Sequence, residues 1–526
     1  MPDSGNDSGN GAASGAPAEE TQPEETQPEE TPQPPPPPRL KIAFVAAEVA
    51  PYAKTGGLAD VSGALPAYLA DGNDVRIFMP LHKKIDTFKY PTVPVDFLQN
   101  VPIHLGQHFF RFSLRTAKLP GSPVDVYFVE CPALFDRPGI YTGEWDEHLR
   151  FGLFSRAVLM SCQHMGWGPD ILHCNDWHTA LLPLYLRTLF SWDHLFGGTR
   201  TILTLHNLAY QGVFPADVIA NLGFAEWRSL LYQEDLDRGF INFLKTGLLY
   251  ADVITAVSVT YAKEIQTEAF GMGLDHVLRA RSGSIVGIVN GVDYGVWNPT
   301  SDPYLVRQYG SDDLREGKRA NRQALMKEIG LGDEPGVPLL AVVSRLTAQK
   351  GFDLVFEPLA EALRYLNIRL IVLGSGEPAL EARFFDLQRT FPHKCWFFRG
   401  YHERLAHAIE AAADIFLMPS RFEPCGLNQM YSLKYGTMPV VRKTGGLADT
   451  VELVDPMRGS GTGVVFEHYD EPAFTWALKS ALQLFQHRSL FERVQRNGMA
   501  QDFSWERQSA EYLRLYRALL GQGEYP

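Results

Sequence analysis

Beyond Arg39 the chain alternates short apolar, β-branched runs with longer amphipathic stretches. A first series comprises KIAFVAAE (41–48), DVRIFM (74–79), VDVYFVE (124–130), DILHC (170–174), TILTLH (201–206), DVITAVS (252–258) and SIVGIVN (284–290). A second comprises LLAVVSR (339–345), IRLIVLG (368–374), CWFFRG (395–400), DIFLMP (414–419) and MPVV (438–441). Runs of this length without regular polar alternation fit strands buried on both faces of a parallel sheet. The stretches between them, such as LEARFFDLQRTF and HAIEAAA, carry helical spacing. Strand–helix–strand repetition, twice over, predicts an α/β protein of two doubly wound, Rossmann-like domains facing across a cleft. The expected boundaries are a tail over 1–39, a first domain over 40–295 and a second over 296–502. A C-terminal helix within 503–526 is expected to cross back to the first domain and, with DYGVWNPTSDP (293–303), to act as the hinge.

Composition changes this picture mainly at the N-terminus. Residues 1–38 hold eight acidic side chains, ten prolines, no Lys or Arg and no aromatic residue. Such a segment cannot bury enough apolar area to offset its conformational entropy, so disorder is expected, stiffening to polyproline II at Pro34–Pro38. It lacks the basic, apolar or Arg-rich features of a leader, which points to a cytoplasmic protein. The net charge is −13, but the acidic tail accounts for much of it and leaves the rest nearly balanced. Nucleic-acid binding, which calls for excess Lys and Arg, is not expected. No apolar run is long enough to span a membrane. Five cysteines without a C-x-x-C pair fit a reducing compartment.

Ligands of open α/β sheets bind at the carboxyl ends of strands, so the residues following each run carry the chemistry. KTGGLAD (54–60) follows the first strand and opens a helix, where bare glycine N–H groups and Lys54 suit an anion. The same seven residues recur at 443–449 in the second domain. Both copies are therefore expected to present glycine-rich turns to a shared cleft. His173, Cys174, Asp176, His178 and His206 lie at strand ends, but their spacing matches no metal motif, and no metal is expected. Trp177 and Tyr210 fit either packing or a sugar platform. Arg345 and Lys350 form a cationic pair suited to phosphates. In PSRFEPCGLNQM (419–430), Glu423 lies just ahead of a helix start and suits sugar hydroxyls, while Cys425 is alternatively a nucleophile.

Together, KTGGLADV, DRPGIY (136–141), NDWH, LHNLAYQG, NGVD (290–293), VSRLTAQKG, PSRFEPCGL and KYGTMPVVRKTGGLADT resemble the bacterial glycogen synthase and plant starch synthase family, in that family's order. The resemblance spans roughly residues 40–515 and implies a GT-B fold. It implies transfer of glucose from ADP-glucose to the non-reducing end of an α-1,4-glucan such as glycogen, with retention and without a cofactor. It assigns catalytic roles to Glu423, His206, Arg345, Lys350 and Asp176. Donor contacts fall to Lys54, Gly56, Gly57, Asn290, Tyr401, Cys425, Gly426 and Leu427, and acceptor contact to Glu48. Many related retaining transferases carry a second glutamate eight residues after the first, where this chain has Tyr431. Same-face attack within an ion pair is therefore expected over a covalent intermediate. The alternatives are a GT-B enzyme using UDP-glucose or another acceptor, and a glucan-binding protein without catalysis. Oligomeric state is not legible.

Overall fold

The computed structural model describes residues 11–13, 15–16 and 38–525. Expectations for the proline-rich tail fall on residues almost all outside this set. From Arg39 onward the chain forms one compact unit built on two large sheets and a small two-stranded one.

Seven parallel strands run across the first sheet in the order Ile285–Gly287, Val253–Ala256, Arg200–Leu205, Ile171–Asn175, Lys41–Val45, Asp74–Pro80 and Asp125–Glu130. They coincide with the seven runs of the first series. Central position requires both faces to be apolar, and Ile42, Ala43, Phe44 and Val45 are fully buried. The second sheet is parallel throughout, in the order Cys395–Arg399, Arg369–Gly374, Leu339–Val343, Ile415–Met418, Met438–Arg442 and Val464–Phe466.

Several elements escaped the sequence reading. His108–Lys118 pairs antiparallel with Asp125–Glu130, and Val93–Pro94 and Val101–Leu105 pair with it in turn. In Val101–Leu105 buried and exposed residues alternate strictly, the mark of a ribbon with one wet face. A short hairpin of Val213–Pro215 and Phe240–Asn242 and the edge strand Val464–Phe466 were also missed.

Two passages connect the lobes, and they run side by side. The Val292 N–H donates to the Phe503 carbonyl at 2.7 Å, Val292 pairs in parallel with Ser504, and the Phe503 N–H donates to the Tyr294 hydroxyl at 3.2 Å. The following helix, Trp505–Leu519, packs on Gly57–Leu69 of the first lobe. Trp505 lies so close to Gly291 that a Cβ there would come within 2.4 Å of the indole. Within the segment expected as a hinge, 293–303, several residues are anchored. Trp297 stacks between His407 (3.7 Å between ring centroids) and Tyr431 (4.0 Å). Buried Asp302 accepts from the Tyr435 hydroxyl at 2.6 Å and pairs with His407 Nδ1 at 2.8 Å. Residues 297–302 are thereby fastened to the second lobe, while the passages at 292–294 and 503–504 are paired with each other.

Candidate active site

The first wall of the cleft is built on the ends of three adjacent strands. Glu48, just past Lys41–Val45, is buried and fully engaged: the Thr55 hydroxyl donates to it at 2.6 Å, the Tyr141 hydroxyl at 2.5 Å, and the Thr55 N–H also donates. It thus joins the KTGG turn to the DRPGIY loop, a tie that the sequence did not reveal. Beyond Thr55 the glycines are bare: a Cβ on Gly56 or Gly57 would meet nothing within 4 Å. Lys54 pairs with Asp60 at 2.6 Å and remains half exposed.

Behind this turn lie Asn175, Asp176 and His206. The Asn175 amide donates to the Val45 carbonyl at 3.0 Å, which orients its Oδ1 toward His206 Nε2 at 2.9 Å. Nε2 therefore carries the imidazole proton and Nδ1 keeps its lone pair. Burial pushes the His206 pKa down to about 3, so the ring is neutral. Asp176 has φ +55°, a strained region for a residue with a side chain, and its carboxylate accepts from the His206 N–H at 2.7 Å. Burial raises its pKa to about 7, against the pull of the His206 and Asn207 N–H groups. Asn175 was not singled out from sequence, although it stands inside the NDWH motif.

The opposite wall belongs to the second lobe. Lys350 ends a short 3-10 turn and donates to Glu423 at 2.6 Å; the buried Ser420 hydroxyl donates to the same oxygen at 2.9 Å. Arg345, past the end of Leu339–Val343, is exposed and has no ion-pair partner among the described residues. Gly426 takes φ +75°. The helix then starts at Asn428 with Leu427 as its N-cap, two residues later than Gly426. Tyr401 is exposed; burial of its hydroxyl, then the Glu403 and Asp60 carboxylates, raise its pKa to about 12. Asp60 likewise raises Tyr431, after burial. The field of the first-lobe turn thus reaches the Tyr401–Tyr431 face. Asn290, buried at the end of the first lobe, has an Oδ1 without a partner among the described residues, and its backbone N–H acts on the Cys425 thiol.

Three sequence readings resolve differently from one another. The second KTGGLAD does not open onto the cleft: a Cβ on Gly445 would lie 1.9 Å from the Glu423 carbonyl, and one on Gly446 2.1 Å from that of Cys425. Trp177 is a packing residue, buried against Phe151, Phe243 and Gly212, while Tyr210 is exposed. Cys425 is buried, and burial raises its thiol to about 12, which leaves no thiolate to act as nucleophile. His173 is engaged with the Tyr516 and Thr204 hydroxyls, both at 2.6 Å. Among the described residues no three His, Cys, Asp or Glu side chains gather as a metal site, and no helix is long and apolar enough to cross a membrane.

Comparison with known proteins agrees with this architecture. Residues 41–280 match the starch synthase catalytic domain, and residues 326–497 match glycosyl transferases group 1. The glycogen synthase of Thermodesulfovibrio yellowstonii is 40% identical over 503 residues, spanning 92% of this chain and 99% of that protein. That of Anaeromyxobacter dehalogenans is 44% identical over 491 residues, spanning 91% and 99%. The solved catalytic domain of starch synthase IV from Arabidopsis thaliana, bound to ADP and acarbose, matches with a TM-score of 0.85 at 33% identity, covering 92% of this chain and all of that one. Sucrose-phosphate synthase from Thermosynechococcus elongatus, at TM-score 0.57 and 18% identity, shares the fold alone. Two Rossmann-like lobes with polar strand ends, taken with these matches, place the chain among glycosyltransferases of the GT-B type. Within that class the chain belongs to the glycogen synthase and starch synthase family.

Proposed function

We propose that the enzyme transfers glucose from ADP-glucose to the non-reducing end of an α-1,4-glucan, with retention at the anomeric carbon. The observation that carries this reading is the Lys350–Glu423–Ser420 cluster, with Arg345, unpaired among the described residues, on the same wall and the open Gly56–Gly57 turn on the other. Departure of a nucleoside diphosphate develops negative charge. Arg345, Lys350 and Lys54 supply fixed cations for it, so the leaving group needs no metal clamp. Donor binding would draw Lys350 toward phosphate and free Glu423 to accept from glucose hydroxyls. Gly56 and Gly57 leave room for a phosphate or sugar to approach backbone N–H groups. Tyr401, exposed at the rim, would stack on the nucleobase, and the Cys425–Leu427 backbone would line the donor side with Asn290. Glu48, through Thr55 and Tyr141, would shape the acceptor side.

Retention follows most simply from attack on the face that the diphosphate leaves. Tyr431 occupies the position of a second glutamate and stacks on Trp297. His206 is neutral, and Asp176 spends one oxygen on backbone N–H groups. An oxocarbenium-like centre flanked by the departing phosphate then reacts with the glucan hydroxyl, whose proton passes to that phosphate.

The test is chain elongation by purified protein on a maltooligosaccharide primer, with ADP-glucose and UDP-glucose in parallel. Elongation with α-1,4 linkages and a strong preference for ADP-glucose is expected. Preference for UDP-glucose would overturn the donor assignment, and binding of glucan without elongation by either donor would overturn the reaction.

A further inference from the structure

The repeated KTGGLAD motif has a second use at 443–449. Its side chains and backbone exchange hydrogen bonds with the first-lobe helix Val259–Glu264. Asp449 accepts from the Thr260 N–H at 2.8 Å and from the Thr260 hydroxyl at 2.6 Å. In the reverse direction, Glu264 accepts from the Thr444 hydroxyl at 3.0 Å and from the Gly445 N–H at 3.1 Å. Each lobe therefore contributes one carboxylate and receives one. Four bonds cross the boundary in a single reciprocal arrangement.

What this arrangement holds is the segment that carries Glu423. The Gly446 N–H donates to the Glu423 carbonyl at 3.1 Å. Gly445 has φ +44°, and both glycines lie so close to Glu423 and Cys425 that a side chain at either would strike their carbonyls. On its other side the same segment is fixed from the first lobe: the Ser258 hydroxyl donates to the Pro424 carbonyl at 2.6 Å. Residues 423–425 are thus gripped between the 444–446 turn and the start of the 259–264 helix. Any displacement of these two elements moves the Glu423 backbone directly. A shift of about 1 Å in a reacting geometry is enough to lower turnover about a hundredfold.

We infer that Glu264 and Asp449 are positioning residues, which latch the lobes together and thereby set the place of Glu423 and its Lys350 partner in the cleft. The kinetic part rests on the transferase reading above; the structural part does not. Neither residue is among those assigned above to donor or acceptor, and both are engaged with the opposite lobe. Their loss should therefore lower kcat rather than primer affinity.

The experiment uses the full chain with Glu264→Ala, Glu264→Gln, Asp449→Ala and Asp449→Asn. Steady-state kinetics are paired with spin-label distance distributions between Lys84→Cys in the first lobe and Arg389→Cys in the second. The native cysteines are buried, so these exposed sites take the label. Each Ala variant is expected to lose about tenfold or more in kcat, with primer KM within about twofold, and to broaden the interlobe distances. Gln or Asn can still accept the backbone N–H and donate to the threonine hydroxyl. Those variants should remain within about threefold of the parent, with narrow distances. Ala variants that fold and keep both kcat and the distance distribution would overturn the inference, as would Gln and Asn variants no better than Ala. Should the Ala variants not fold, Thr260→Val removes one latch bond without changing shape. It is expected to broaden the distances, and an unchanged distribution would count against the latch. Because the distances do not depend on which reaction is catalysed, failure of the latch and failure of the transferase assignment register separately.

Discussion

Replacing Lys350 with Met separates the structural from the catalytic contribution of the Lys350–Glu423 pair. The two charges sit 2.6 Å apart with side chains only 17% and 6% exposed. At an effective dielectric near 20 their gross attraction is about 6 kcal/mol, most of it offset by desolvation. Removing only the lysine leaves the carboxylate, among the described residues, with Ser420 as its one donor. Loss of one partner from a buried pair costs about 3–5 kcal/mol, and Lys350→Met is expected near the lower end of that range. Lys350→Met combined with Glu423→Gln removes both charges and should recover most of the stability. Transfer should behave otherwise. A cation acting on the departing diphosphate contributes about 2–4 kcal/mol to the barrier, roughly 30- to 1,000-fold in kcat, and the second substitution cannot restore it. Urea unfolding and primer elongation on the parent, both single variants and the double variant give the complete cycle. Recovery of both stability and turnover in the double variant would refute the catalytic role, since the pair would then be structural only.

The two glycine turns should respond oppositely: Gly445→Ala, at φ +44° and against the Glu423 carbonyl, should lower kcat by about tenfold or more, whereas Gly57→Ala, in open space, should keep the melting temperature within a few degrees and raise donor KM. Calorimetry and kinetics on both variants check this contrast, which equal responses would contradict. Asp176 has its pKa raised from 3.8 to about 7 by burial, so the folded state binds a proton more tightly than the unfolded chain between those values. Its contribution therefore becomes less favourable as pH rises from 4 to 7, by up to about 4 kcal/mol. Asp176→Asn, which keeps an acceptor for the His206 N–H, should gain stability relative to the parent at pH 8 compared with pH 5; parallel pH profiles of unfolding would argue against this. Trp297→Leu removes both stacking contacts of the linker and should cost about 2–3 kcal/mol in urea unfolding, and a loss under 1 kcal/mol would show that the linker is held by Asp302 instead.

The parallel sheets were legible because their strands are buried on both faces, and runs such as KIAFV and LLAVV admit little else. Val101–Leu105 was not, because alternation over five residues between turns resembles an amphipathic loop until its partner is known. Proximity was legible where motifs follow neighbouring strands: Lys350 and Glu423, both singled out there, meet at 2.6 Å. It was illegible where tertiary context decides. KTGGLAD at 54–60 and at 443–449 is the same heptad, yet one copy is bare and the other clamps Glu423. Only the neighbours distinguish them: Glu48 beneath the first, Glu264 across the lobe boundary beneath the second. Trp177 and Tyr210 illustrate the same limit, since an aromatic ring suits a core or a sugar equally and burial alone separates them. Pro, Asn and Ser in 293–303 signal irregular backbone, but not that Trp297 and Asp302 fasten it to the second lobe.

The central claim is that cations from both lobes meet at the diphosphate while Glu423 holds the migrating hexose. A crystal structure of the protein with ADP and a glucose analogue tests it most directly. Phosphate oxygens within about 3 Å of Arg345 and Lys350, close to the Gly56–Gly57 turn, with Glu423 hydrogen-bonded to the sugar, is the result expected. Nucleotide bound outside the cleft, for instance in the 510 Å³ cavity lined by Lys443, His468 and Trp476, would contradict it.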